Sequence, residues 1–72
     1  MTAKQIIEMA LAFNGMSKAE LAEKMGWSRQ TLNARVNTGK FSVEEWESIG
    51  AAMGATVQLT FKFPDGTTVG KQ

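Results

Sequence analysis

Residues 17–36, SKAELAEKMGWSRQTLNARV, spell two short helices joined by one tight turn. Ser17 is a helix N-cap type and Glu20 stands three positions on, the spacing of a capping box. Leu21 and Met25 follow four apart on one face, with small Ala22 beside them. Gly26 supplies the left-handed backbone that ends a helix, and Trp27 fills the corner. Ser28 caps the second helix, whose inward positions are Leu32 and Val36. Its outward positions are Arg29, Gln30, Asn33, Ala34 and Asn37. Arginine, glutamine and asparagine are the side chains that read base edges in a DNA major groove. The second helix is therefore expected to present a base-reading face: Gln30 suits adenine, Arg29 suits guanine or a phosphate, and Asn33 lies one turn on.

The stretch resembles the helix-turn-helix of the Cro/repressor (lambda-repressor-like, xenobiotic-response-element) family of DNA-binding proteins. The positions that carry the resemblance are Lys18, the Leu21-Ala22 pair, Met25-Gly26, the turn residues Trp27-Ser28, and Leu32 inside the second helix. It covers residues 17–40 as a motif and 1–54 as a fold. Two positions depart from the family pattern. Gln is commoner where Lys18 stands, and the second inward position often falls at Arg35, so that Val36 takes the packing role here. The resemblance implies a recognition helix in the major groove and a dimer on a palindromic operator.

The residues flanking this helix suit phosphate. Ser17 and Lys18 open the preceding helix, where backbone N–H groups attract anions, and Ser28, Thr38 and Lys40 bracket the reading face. Between Met16 and Phe41, five basic residues (Lys18, Lys24, Arg29, Arg35, Lys40) stand against Glu20 and Glu23, a balance of 5 − 2 = +3. Between Ser42 and Gly54 only Glu44, Glu45 and Glu47 are charged, a balance of −3. The positive charge thus gathers on the segment expected to face DNA, whereas the glutamates complement a helix N-terminus.

The remaining chain is punctuated consistently. Thr2 with Gln5 caps a first helix over Ala3–Asn14, with Ile6, Ala10 and Phe13 as its expected buried stripe, thickened by Ile7, Met9 and Leu11. Ser42 with Glu45 caps a fourth helix with Val43, Trp46, Ile49 and Met53 on one face. Gly15, Gly26, Gly39 and Gly54 close the four helices in turn. Trp27 and Trp46 read as core residues. After Gly54 the period changes to two: Val57, Leu59, Phe61 and Phe63 alternate with polar residues, which predicts a strand over residues 55–63. Pro64-Asp65-Gly66 is a turn signature, and Thr67, Thr68 and Val69 return as a second strand. The expected fold is mainly α: a four-helix domain over residues 1–54 containing the helix-turn-helix, followed by a β-hairpin and tail over residues 55–72. A two-stranded hairpin is marginal alone, and its long edge invites pairing. Val57, Leu59, Thr60, Phe61 and Phe63 are accordingly expected at a homodimer interface, against the alternative of a hairpin folded onto the first helix. The family's Cro members similarly pair C-terminal strands.

Seventy-two residues carry a net charge of +1, with no Cys and no His. Such a chain makes one small domain with a marginal core, for which oligomerisation is a common support. Disulfides and thiolate zinc sites are excluded, no residue run approaches a membrane span, and no signal peptide is visible. A cytoplasmic protein with no metal, no cofactor, no small-molecule substrate and no membrane partner is expected. None of the usual nucleophile or acid–base constellations can be assembled, which argues against an enzyme. The expected function is a sequence-specific double-stranded DNA-binding regulator, a repressor or autoregulator of phage or mobile-element type. The alternative is a protein-interaction module on the same fold, such as an antitoxin-like partner or an inhibitor of a host factor.

Overall fold

The computed structural model describes residues 1–71 and contains four helices and a two-stranded antiparallel hairpin. The helices are α1 (Ala3–Asn14), α2 (Lys18–Met25), α3 (Arg29–Thr38) and α4 (Val43–Ala52); the strands are β1 (Leu59–Lys62) and β2 (Thr68–Lys71). Each helix begins where its cap residue dictates. Thr2, Ser17 and Ser42 make reciprocal capping boxes with Gln5, Glu20 and Glu45. These bonds satisfy backbone donors that a helix start otherwise leaves open. Gly26 ends α2 at φ 71°, and the Trp27 N–H then returns to the Ala22 carbonyl at 2.9 Å. An L-residue at that φ is strained, so this glycine sets the angle at which the chain leaves α2.

The core is small and lies among the helices. Ile7, Leu11, Leu21, Ala22, Leu32, Val36 and Ile49 are buried, with Met16, Met25, Trp27, Phe41, Trp46 and Met53 among the half-buried residues packed around them. Both tryptophans thus sit at the rim of the core. The expected stripe of α1 is corrected. Ile7 and Leu11 face the body, whereas Ile6 and Phe13 are exposed and Ala10 is half-buried. The apolar arc of α1 is wider than its neighbours can cover, and α3 meets it on the Ile7–Leu11 side.

After α4 the chain turns back. The Ala55 N–H donates to the Gly50 carbonyl at 2.8 Å, and Val57 lies half-buried against Gly50, where an added Cβ would stand 2.6 Å from a Val57 methyl. This segment is tied to α4 and has no strand partner, so β1 starts at Leu59 and not at residue 55 as the alternation predicts. The hairpin register pairs Thr60 with Gly70 and Phe61 with Val69. Its turn is closed by the Phe63 N–H on the Thr67 carbonyl (2.8 Å), the Gly66 N–H on the Phe63 carbonyl (2.9 Å), and the Thr67 N–H on Asp65 Oδ1 (2.9 Å). That backbone donor holds the Asp65 carboxyl below its ordinary range. The hairpin extends away from the helices, and Leu59, Phe61, Phe63 and Val69 remain exposed; an apolar face lying on the helical body is not what forms. No helix among the described residues is long and apolar enough to cross a membrane.

Candidate nucleic-acid interface

Helix α3 is built to hold one side and offer the other. The Ser28 hydroxyl accepts the Thr31 N–H at 3.0 Å and donates to Thr31 Oγ1 at 2.8 Å, which fixes the first turn. Leu32 and Val36 anchor the helix at 0% and 1% exposure. Arg29, Gln30, Asn33, Ala34 and Asn37 are all exposed. The polar residues among them form a row of amide and guanidinium groups whose donors and acceptors match base edges.

Arg35 does not belong to that row. Its guanidinium lies 5.2 Å from the Trp27 ring centre and 5.5 Å from that of Phe41, and it pairs with Glu45 at the start of α4. Phe41 in turn meets Trp46 edge-on at 5.1 Å. Arginine suits this place because its flat, weakly hydrated cation stacks on rings and still reaches a carboxylate. The Glu45 carboxyl also accepts the Ser42 N–H at 2.9 Å. That backbone bond, followed by the Arg35 contact, holds Glu45 below the ordinary glutamate range. A half-buried side chain on the inner flank of α3 thus links this helix to α4. At the far end, the Gly39 turn approaches α1 so closely that an added Cβ would lie 3.2 Å from Ala3 Cβ.

The flanking residues divide into two kinds. Lys40 and Arg29 are exposed and hold no ion pair among the described residues. Lys18 is instead bound to Glu8 of α1 at 3.0 Å, with both side chains part-exposed. The hydroxyls are engaged within the chain: Ser17 Oγ accepts the Glu20 N–H at 3.1 Å, and Thr38 Oγ1 donates to the Arg35 carbonyl at 2.9 Å. Thr38 is the last residue of α3. The residues expected at an assembly interface lie elsewhere: Leu59, Thr60, Phe61 and Phe63 are exposed around the hairpin, and Val57 is half-buried. No protein-family model matches this chain, and neither a curated protein nor a solved structure shows significant similarity to it.

Sequence reasoning missed the Arg35 link to α4, the Glu8–Lys18 pair and the close approach at Gly50. The first had a signal: Arg35 occupies a position that is often inward, between two aromatic residues in sequence. The other two depend on how α1 and the segment after α4 are laid against the bundle.

Proposed function

We propose that this protein is a sequence-specific double-stranded DNA-binding regulator of the lambda-repressor-like helix-turn-helix class, acting as a homodimer on a palindromic operator. The observation that carries the reading is the division of α3: Leu32 and Val36 are buried while Arg29, Gln30, Asn33 and Asn37 stand together in solvent. In this reading α2 crosses the backbone and α3 enters the major groove. Arg29 and Gln30 at its N-terminal end reach deepest, and Asn33 follows one turn on. Ala34 leaves room beside the bases. Asn37 sits near the groove rim.

Phosphates flank the groove. Lys40 supplies a free charge on one side. Ser17, Lys18, Ser28 and Thr38 are the other candidates, with Lys18 first having to leave Glu8 and the hydroxyls already engaged, so that backbone N–H groups at the helix starts are the better donors there. The dimer forms along β1. The Phe63 N–H points at β2, and the alternation of an antiparallel ladder turns the Thr60 and Lys62 N–H groups the other way, to a free edge. For the operator reading, pairing two such edges about a two-fold axis must set the two α3 helices ~34 Å apart, one duplex turn. Regulation is then steric: a dimer on a promoter excludes polymerase. No reaction and no cofactor is part of this proposal.

The exposed apolar residues of α1 and the hairpin favour one competitor, a protein-interaction module on the same fold. Duplex titration at several salt concentrations separates the two. DNA binding through phosphates gives a log–log affinity slope of several units. Absence of duplex binding at low salt favours the interaction module.

A further inference from the structure

Helix α1 carries two apolar stripes, and the body covers one. Ile7 and Leu11 are buried, while Ile6, Met9 and Phe13 are 46%, 58% and 94% exposed. With half-buried Ala10, these three occupy i, i+3, i+4 and i+7, the spacing of a helix face that belongs against something. Beside Ile6 opens an apolar groove of about 330 Å³, lined also by Val43, Trp46, Val57 and Leu59. On the other side, Met9 and Phe13 border a second depression with Met53 and Ala55. The hairpin offers the converse shape. Phe61 and Phe63 share one face with Val69, all three exposed, while Thr60 and Lys62 alternate to the opposite face.

We propose that the outer stripe of α1 is the docking surface for the hairpin of a second copy of this chain, whose Phe61, Phe63 and Val69 it covers. One chain holds both the uncovered stripe and the uncovered rings, and they do not cover each other. A two-fold exchange between copies satisfies both at once, which is the self-complementarity an isologous interface requires. The area is adequate. At about 200 Å² for a phenylalanine, the exposed fractions of Phe13, Phe61 and Phe63 leave about 400 Å² of apolar surface. That is half of the ~800 Å² per partner of a stable interface, and Ile6, Met9, Leu59 and Val69 add to it. The groove beside Ile6 reaches Leu59 at the start of β1, so the stripe adjoins the strand that the proposed dimer uses. This deepens the dimer of the proposed function, which needs only the strand edge.

The test is made without DNA, so the base-reading proposal stands or falls separately. Sedimentation of the full chain measures the mass of the natural protein, of Phe13→Asp and of Thr60→Pro, with circular dichroism as the check on helix content. Because the chain has no cysteine, Met9→Cys and Phe61→Cys proteins can be mixed and joined with a short bis-maleimide. The proposal expects a dimer whose dissociation constant rises at least tenfold in Phe13→Asp with helix content unchanged, and a cross-linked species containing one chain of each kind. A natural protein that is monomeric at high concentration overturns it. A dimer indifferent to Phe13→Asp, disrupted only by Thr60→Pro and giving no mixed cross-link, also overturns it and leaves a strand-edge dimer. Cross-linking of Met9→Cys chains to one another alone would mean that α1 packs on α1, contrary to the proposal. Should Phe13→Asp lose its helices, the mixed cross-link alone decides.

Discussion

Arg35 of α3 and Glu45 of α4 form an ion pair that the Trp27 and Phe41 rings flank. The pair joins the helix with the exposed polar row to α4, beside the anchor that buried Leu32 and Val36 provide. Both side chains are about a third exposed, so solvent screens much of their Coulombic attraction. Stacking on the rings contributes about 0.5–1 kcal/mol at each.

Replacing Arg35 with Ala should therefore lower stability by about 1–2 kcal/mol. In a domain this small that lowers Tm by roughly 5–15 °C. Arg35→Lys should recover only part of the loss, since an ammonium on a flexible stem stacks poorly. Thermal unfolding followed by circular dichroism measures both; a lysine variant as stable as the natural protein would show that charge alone matters at this position.

The same pair makes stability depend on acid. The Glu45 carboxyl is held below its ordinary range by the Ser42 N–H and the Arg35 guanidinium. A carboxylate with a depressed folded pKa stabilises fully above its unfolded value and loses that contribution as pH falls through the folded one. Glu45→Gln should accordingly be less stable than the natural protein at neutral pH, with the gap closing below about pH 4, near the unfolded glutamate value. Asp65 is also held low, by the Thr67 N–H, so an Asp65→Asn background isolates the Glu45 contribution. A gap that stays constant with pH contradicts the role given to Glu45.

How much of this was legible in the sequence follows from the range of each interaction. Caps are local. Thr2 with Gln5, Ser17 with Glu20 and Ser42 with Glu45 fix three helix starts within four residues of chain, and the structure keeps them all. Leu32 and Val36 were legible as the inner face of α3 because they are its only large apolar residues and stand four apart. The α1 stripe was not. Ile6, Ala10 and Phe13 satisfy the helical period as well as Ile7 and Leu11 do, and only the placement of the other helices chooses between them. Alternation from residue 55 overextends β1 because it cannot reveal that the Ala55 N–H is taken by the Gly50 carbonyl.

That return makes Gly50 a position of close approach. A Cβ there would stand 2.6 Å from a Val57 methyl and 3.3 Å from the Ala55 carbonyl oxygen. Although alanine is the better helix former, Gly50→Ala should destabilise by about 1–3 kcal/mol, the usual cost of overpacking. Chemical denaturation reads it. A stabilised variant would mean that the segment after α4 moves aside freely.

On the proposed DNA face, Gln30→Ala should cost about 1–3 kcal/mol at the cognate site and relax preference at one base-pair position per half-site, with folding unchanged. Lys40→Ala should weaken all duplexes alike and reduce the salt slope by about one unit per monomer. Lys18→Ala should do less, because Glu8 already holds that charge. Competition binding at several salt concentrations separates the three, and a Lys18 effect equal to that of Lys40 would mean that the Glu8 pair opens on DNA.

The most direct measurement is selection of bound duplexes from a random pool by the natural protein, repeated with Gln30→Ala. The account predicts enrichment of a palindrome with half-site centres about 10 base pairs apart, and loss of preference at one position of each half-site in the variant. A pool that remains random after repeated rounds at low salt, or a palindrome read identically by both proteins, would contradict the assignment of α3 as the base-reading helix.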